Sequence, residues 1–301
     1  TTGANNTAVG AYALDANTTA DGNTAFGYSA LTANTTGGHL TAVGRGALAA
    51  NTTANGNTAV GSYALNDVTT GAQNTGVGAY TLEKVTTTDN NTALGYNAGA
   101  DITTGTRNTV VGSLALDSCT TGSNNAAVGS YALTSLTTGG DNTAMGDYAL
   151  GTATTGSYNT GIGKNAIDNL TTGSNNTAVG RNALTTISTG NDGTAIGFEA
   201  LKATTTGADN TGIGCSALTA NTTGAYNVAV GHRALLANTT GGSNIAIGVA
   251  ALSTQTSGGD NHVAVGHFAL AANTTGDNCV AIGYNALNDN TTGGSNVAIG
   301  Y

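Results

Sequence analysis

The 301-residue chain has no proline, no tryptophan and only three phenylalanines, and charged side chains make up only 8% of it. Hydrophobic residues reach 39%, and the small residue alanine is the commonest of them. Because large apolar side chains are so few, a thick globular core is excluded, and we expect a thin core repeated along an axis. Without proline, every backbone amide is free to join a continuous hydrogen-bond ladder.

Positive charge is also scarce. Seven basic and 16 acidic residues give a net charge of −9. Binding to nucleic acid or to anionic membranes depends on clustered Lys and Arg, and the sequence contains no such cluster. No apolar run reaches the ~18 residues of a membrane-spanning helix. We therefore expect neither a nucleic-acid partner nor membrane insertion.

One short motif fills the chain. Asn-Thr-Ala-Val-Gly, first seen at Asn6 to Gly10, recurs with a step of 17 residues, except for one step of 18 between Gly248 and Gly266. Its final glycine is Gly10, Gly27, Gly44, Gly61, Gly78, Gly95, Gly112, Gly129, Gly146, Gly163, Gly180, Gly197, Gly214, Gly231, Gly248, Gly266, Gly283 and Gly300. Such a fixed period predicts a solenoid, with residues 1–301 as a single uninterrupted domain. No atypical capping repeat occurs, which favours a segment of a longer protein or a unit that stacks end to end.

One apolar position directly precedes each glycine, and another follows it four residues later. The residue before it is always apolar, as in Val9, and the residue three before it is mostly Thr, as in Thr7, changing to Val or Ile from Val228 onward. Strand alternation puts these two on one face, which we predict to lie inside the coil, with the Ala or Gly between them and the repeat glycines facing outward. A second apolar column, four residues after the glycine, runs from Leu14 to Leu287 and is broken only at Gly99.

The turns have their own signals. Asn-Thr-Thr-Gly, as at Asn34 to Gly37, supplies a glycine for positive φ and polar side chains for freed backbone groups. A second asparagine, four residues before the repeat glycine, predicts a stacked side-chain ladder. Together these features predict an all-β, parallel β-solenoid of about 18 coils with 17 residues and two short strands per coil. At ~4.8 Å per coil the expected rod is ~85 Å long.

The residue before Thr-Thr varies in blocks. It is Asn at the start, as in Asn34 and Asn51, apolar from Val68 to Ile187, and Asn again from Asn221. An apolar stripe here indicates either contact with a partner chain or side chains that turn inward. The sequence alone leaves both interpretations open.

Three cysteines, Cys119, Cys215 and Cys279, lie in different coils and at different positions of the repeat. Several coils separate them, which is too far for an intrachain disulfide. We predict free thiols, or intermolecular disulfides at most.

The repeat Asn-Thr-Ala-Val-Gly-x-Tyr-Ala-Leu-x-x-Asn-Thr-Thr-Gly resembles the repeats of bacteriophage tail-fibre and tailspike-type proteins. It is also similar to the head repeats of YadA-like trimeric autotransporter adhesins, whose Val-Ala-Ile-Gly core occurs here at Val280 to Gly283 and Val297 to Gly300. The resemblance covers all 301 residues. It implies a left-handed parallel β-roll, three chains side by side, on a cell or virion surface. The uniform step and the Asn-Thr-Thr-Gly turn favour the fibre side, and the choice between the two stays open.

Catalysis requires singular groups, and the repeat offers few. Carboxylates are scattered through the turns, so no catalytic residue is predicted and the chain is not expected to be an enzyme. His232, His262 and His267 lie near the 18-residue step and could suggest a metal site. Surface histidines tolerated by a solenoid are the favoured interpretation. We therefore predict no metal site, no cofactor-binding residue and no cofactor.

The favoured function is a structural and adhesive extracellular fibre shaft, a stiff trimeric rod for attachment on a virion or cell surface. Its partner is itself, and a surface glycan or receptor would be bound by other domains. In such a trimer the Ala/Gly face and the Tyr or Val/Ile columns should be buried between chains. One alternative is a filament that assembles end to end. The other is an ice-binding solenoid with Thr columns, which the opposite directions of adjacent threonines disfavour.

Overall fold

The computed structural model of the protein describes residues 2–256 and 258–301. Over that part of the chain the regular structure is entirely β, and the residues form two compact units, Thr1–Thr155 and Gly156–Tyr301. Each unit is a stack of parallel coils, so the prediction of an all-β parallel β-solenoid is confirmed.

Each coil contributes one strand of three residues. The strands of the first unit are β1 (Thr7–Val9), β2 (Thr24–Phe26), β3 (Thr41–Val43), β4 (Thr58–Val60), β5 (Thr75–Val77), β6 (Thr92–Leu94), β7 (Thr109–Val111), β8 (Ala126–Val128) and β9 (Thr143–Met145). Those of the second unit are β10 (Thr160–Ile162), β11 (Thr177–Val179), β12 (Thr194–Ile196), β13 (Thr211–Ile213), β14 (Val228–Val230), β15 (Ile245–Ile247), β16 (Val263–Val265), β17 (Val280–Ile282) and β18 (Val297–Ile299).

Neighbouring strands within a unit pair in parallel at identical repeat positions. Ala8 lies opposite Ala25 in the first unit, and Gly161 lies opposite Ala178 in the second. The 18-residue step does not shift this register, because Ile245 still pairs with Val263. The extra residue is therefore absorbed outside the strands, and each position of the repeat forms a column along its unit.

The expectation of two strands per coil is wrong, since the Ala-Leu segment after each glycine forms turns. Residues two and four positions after the glycine adopt left-handed φ angles, for example 58° at Tyr12 and 55° at Leu14. For such side chains this conformation costs about 1–2 kcal/mol per residue. Burial of the leucine and bonding to the next coil offset that cost: the Leu31 N–H donates to Ala47 O at 3.0 Å.

The predicted orientation of the strand is also wrong. The middle residue faces the interior, so Ala25 and Ala42 are fully buried, whereas the flanking Thr and Val face outward. In most coils the inner face has room only for Ala or Gly, and the fully buried Val110 of β7 is the exception. A Cβ added to Gly76 would lie 3.3 Å from Leu65 Cγ, so the inner strand position packs directly on the leucine column. That leucine column is buried from Leu31 to Leu270.

The predicted asparagine ladder is present. The Asn74 backbone N–H donates to Asn57 Oδ1 at 2.8 Å, and Asn57 Nδ2 donates to Gly71 O at 2.7 Å. Such a buried asparagine thus accepts a hydrogen bond from the backbone N–H 17 residues ahead and donates one to the turn carbonyl 14 residues ahead. Where Leu40 takes the position, its backbone N–H still donates to Asn23 Oδ1.

The residue before Thr-Thr, with its replacements, forms what we call the inner turn column. Its apolar members from Val68 to Ile187 are fully buried, and so are Asn34 and Asn51 in the same column. This decides between the two sequence-based interpretations, because the column faces inward and is closed to a partner chain.

All three cysteines are free thiols, in agreement with the sequence. Cys119 lies in the inner turn column, where burial raises the pKa of its thiol to about 11. Cys279 is also buried, whereas Cys215 is exposed.

Candidate interaction surface

In each unit, the first and third residues of the strands form an outward surface that we call the strand face. The inward middle residue forces both neighbours outward, because successive side chains in a strand point to opposite sides. All of these residues are Thr or apolar, and none is charged. Large apolar members are well exposed, with 56% for Phe26, 49% for Leu94 and 45% for Met145.

The strand face differs between the two units. In β1–β9 the first residue is Thr everywhere except Ala126. In β14–β18 it is always Val or Ile, so both outward columns of these five strands are aliphatic. Ile245 and Ile247 of β15 are 38% and 40% exposed. Monomeric proteins rarely expose contiguous apolar surface, which makes the face of β14–β18 a candidate contact surface.

Aromatic residues one and two positions after the glycines lie beside the strand face in the first unit. The rings of Tyr63 and Tyr80 stack with centroids 5.6 Å apart, and those of Tyr131 and Tyr148 with centroids 4.7 Å apart. They pack on one another rather than on an Ala/Gly face, because the alanines are inside. Such amphipathic rings suit the border of an interface.

The second unit has fewer such rings, and an arginine contacts one of them, as in the first unit, where the Arg45 guanidinium lies 5.5 Å from the Tyr63 ring centroid. The Arg181 guanidinium lies 5.8 Å from the Phe198 ring centroid, a cation–π distance. The His267 ring meets Tyr284 edge to face, with centroids 5.5 Å apart.

The histidines do not form a metal centre in the part of the chain that the structure describes, where no group of three or more His, Cys, Asp or Glu side chains could hold an ion. His232 and His267 are exposed, as the sequence predicted. His262 is fully buried, so for this residue the prediction of a surface histidine is wrong. It takes the position of a ladder asparagine, which explains its burial.

The sequence analysis missed one concentration of charge in the first unit. Asp67, Lys84 and Asp101 occupy one repeat position on three successive coils, a 17-residue spacing that could have revealed them. Lys84 Nζ lies 2.7 Å from Asp101 Oδ1, and this hydrogen bond raises the pKa of Lys84. Burial is the main cause that raises the pKa of Asp117, followed by the charge of Asp101. The carboxylates of this partly exposed cluster outnumber the one ammonium group of Lys84, so its net charge is negative.

A similar pair lies in the second unit. Lys202 Nζ donates to Glu199 Oε1 at 2.7 Å, and this bond lowers the pKa of the Glu199 carboxyl. Exposed pairs of this kind contribute little to stability.

None of the described residues forms a helix long and apolar enough to cross a membrane. No model of a known protein family matches the chain, and no curated protein sequence matches it.

Proposed function

We propose that the chain is part of the shaft of an extracellular or virion-surface fibre, in which three left-handed β-rolls lie side by side. The observation that carries this proposal is the strand face: an in-register, partly exposed surface without a charged side chain on any coil. Depletion of charge is typical of the centre of protein interfaces.

Side-by-side association would remove the aliphatic columns from water. Burial of apolar surface contributes about 25 cal/mol per Å², and the columns repeat on every coil. Parallel copies related by a three-fold axis along the rods keep equivalent coils level, so columns that face the axis meet their counterparts on every coil. The Ala/Gly face expected from the sequence to lie between chains has no part in this interface, because it is inside each coil.

A shaft also needs internal cohesion. Each coil is bonded to the next through the strand, the asparagine ladder and the turn, where Thr35 Oγ1 donates to Thr52 O at 3.0 Å. Recognition of a glycan or receptor is assigned to other parts of the assembly, since the coils repeat the same surface with few local departures.

Light scattering on a size-exclusion column tests the proposal. The expected mass is three times 29.1 kDa. Ile247→Asp places a charge on the strand face of β15 and should give monomers, because an unpaired charge at an apolar interface is costly. Thr240→Asp is the matched control, since Thr240 is exposed on a turn away from the strand face, and this variant should remain trimeric. A monomeric wild-type chain would refute the trimer, and large particles of varied length would favour an end-to-end filament.

One observation favours ice binding as a second candidate. The first strand residue is an outward Thr in β1–β7 and β9–β13, in register from coil to coil within each unit, with an apolar residue two positions on. The objection from the adjacent threonines of the turn does not apply to this column. A monomer with thermal hysteresis that Thr58→Lys abolishes would support ice binding, and absence of hysteresis would exclude it.

A further inference from the structure

The 18-residue step contains a substitution in the asparagine ladder. The His262 backbone N–H donates to Asn244 Oδ1 at 3.0 Å, as any ladder residue does. Its ring Nδ1 then accepts the Cys279 backbone N–H at 3.2 Å, in place of an asparagine Oδ1. His262 and, one coil on, Cys279 are the ionisable side chains at ladder positions among the described residues, and of the two only the imidazole gains a proton on acidification.

The neutral ring can copy both asparagine bonds. Because Nδ1 accepts, the ring proton resides on Nε2. The backbone of Gly276, 14 residues ahead, hydrogen-bonds to the ring. The same spacing joins Asn57 Nδ2 to Gly71 O.

We propose that His262 makes this coil an acid-sensitive link, which opens locally when the ring is protonated. A proton added to Nδ1 faces the Cys279 N–H, so two donors meet and the ladder bond between consecutive coils is lost. An asparagine cannot be switched in this way, because its amide does not titrate.

The groups around the His262 ring determine the pH at which it is protonated and the ladder bond is lost. The titratable groups around it are Asp260 on its own coil and Asp277 and Cys279 on the next, while Asn244 on the preceding coil is uncharged. Burial lowers the pKa of His262 and outweighs the two carboxylates, which act in the opposite direction. The folded state thus binds its proton less readily than the unfolded chain. The stability that the neutral ring provides is complete above pH about 6.5 and is lost as the pH falls from there through the folded pKa.

The same coil has a second departure from the repeat, which makes local opening easier. Gln255 replaces asparagine in the inner turn column and donates through Nε2 to Gly259 O. Its buried Oε1 has no hydrogen-bond partner among the described residues. Gln255 Nε2 and His262 Nε2 both lie beside Gly259, so the two departures flank the same turn. Loss of the His262 bond would therefore occur near a buried polar atom that already lacks a partner among the described residues.

The test compares the full chain with its His262→Asn variant, which restores a non-titrating ladder residue. Thermal melts followed by circular dichroism at about pH 7.5 and about pH 4.5 should show a smaller acid-induced drop in Tm for the variant, by about 2 °C or more. His232→Asn is the matched control, because His232 is exposed and should leave the acid-induced drop unchanged. Equal drops for wild type and His262→Asn would overturn the proposal.

A second measurement needs no variant. In NMR spectra of the wild-type chain, the His262 ring should carry its proton on Nε2 at neutral pH, and the Cys279 amide signal should shift as the ring titrates below pH about 6.5. A ring already protonated at neutral pH, or a Cys279 amide that does not respond, would refute the acid-sensitive link even if His262→Asn failed to fold.

Discussion

The inner turn column is filled in opposite orders in the two units. In the first it begins with Asn17, Asn34 and Asn51 and continues with apolar residues from Val68. In the second it begins with apolar residues, passes through Thr204 and continues with Asn221. The same buried space thus accepts two chemistries, which shows that the backbone of the coil does not depend on either.

The polar stretch is stable because its bonds are shared along the column. Asn34 Nδ2 donates to Gly37 O at 2.9 Å, and Asn51 Nδ2 donates to Asn34 Oδ1 at 2.8 Å. Asn238 Nδ2 donates to Asn221 Oδ1 at 3.1 Å in the second unit. The apolar stretch needs no such bonds and gains from burial.

The two units differ most at the border between the polar and the apolar stretch of the inner turn column. Asn51 Oδ1 faces the coil of Val68 and has no partner among the described residues. At the corresponding border of the second unit, Asn221 Nδ2 approaches Thr204 Oγ1 at 3.5 Å. In a polar column, buried groups without a hydrogen-bond partner therefore occur at the ends, and a hydroxyl placed there reduces the free-energy cost of burying them.

The largest effect is expected when a polar side chain is isolated within the apolar stretch. Leu136→Asn should lower the free energy of unfolding by about 3–5 kcal/mol, because it removes a buried leucine and leaves the amide oxygen without a donor. Urea denaturation followed by circular dichroism measures the change. Leu136→Met keeps the volume and should cost less than about 1.5 kcal/mol. Equal losses for the two variants would mean that polarity is unimportant at this position.

Thiol chemistry tests the burial of the apolar stretch directly. The pKa of about 11 at Cys119, against an unperturbed 9.0, lowers its thiolate fraction about 100-fold near neutral pH. A maleimide followed by mass spectrometry should label Cys215 at once in the native protein and Cys119 only after denaturation. Rapid native labelling of Cys119 would contradict an inward column, and Cys215→Ser is the control for site assignment.

A smaller effect should follow from breaking the polar stretch. Asn34→Val removes the acceptor of Asn51 Nδ2 and should cost about 1–2 kcal/mol. The double variant that also carries Asn51→Val should lose about 1 kcal/mol less stability than the sum of the two single-variant losses. The reason is that the pair is coupled and the unpartnered oxygen of Asn51 is also removed. A double-mutant cycle from urea denaturation measures this coupling, and strict additivity would argue against a shared column.

The smallest effect concerns the border itself. Val68→Thr offers a hydroxyl to Asn51 Oδ1 and should change the free energy of unfolding by less than about 0.5 kcal/mol, since the new bond offsets the buried hydroxyl. Val85→Thr, one coil further into the apolar stretch, has no such partner and should cost about 1–2 kcal/mol. Identical costs in urea denaturation would refute the assignment of the border.

Much of the fold could be predicted from the repeat, since columns of identical residues dictate parallel stacking. The Asn57 ladder bonds and the burial of Leu65 followed from residue type and spacing. The alternation of side chains along a strand assigns the residues Thr58 to Val60 to two faces, but it does not show which of the two faces lies inside the coil. The larger side chains were assigned to the interior, whereas the leucine column leaves room there for no more than a small residue in most coils.

Other features depended on backbone conformation or on one coil. The left-handed φ of Leu48, 51°, turned an expected second strand into a turn, and leucine gives no signal for that conformation. His262 was judged by the usual exposure of histidine, although its position in the asparagine column was visible in the sequence. The Val and Ile columns of the strand face were expected inside the coil, and the structure places them outside.

Except at the 18-residue step, the ladder bonds described above join residues 14 or 17 positions apart, for example Asn74 to Asn57 and Asn57 to Gly71. One repeat can therefore be added or removed as a unit without changing the pattern of bonds between neighbouring coils. If recombination between repeats duplicates or deletes the stretch of gene that encodes one coil, the new neighbours meet the same donors, acceptors and small side chains as before. Such a protein can change its length from one lineage to another without first having to find a new core.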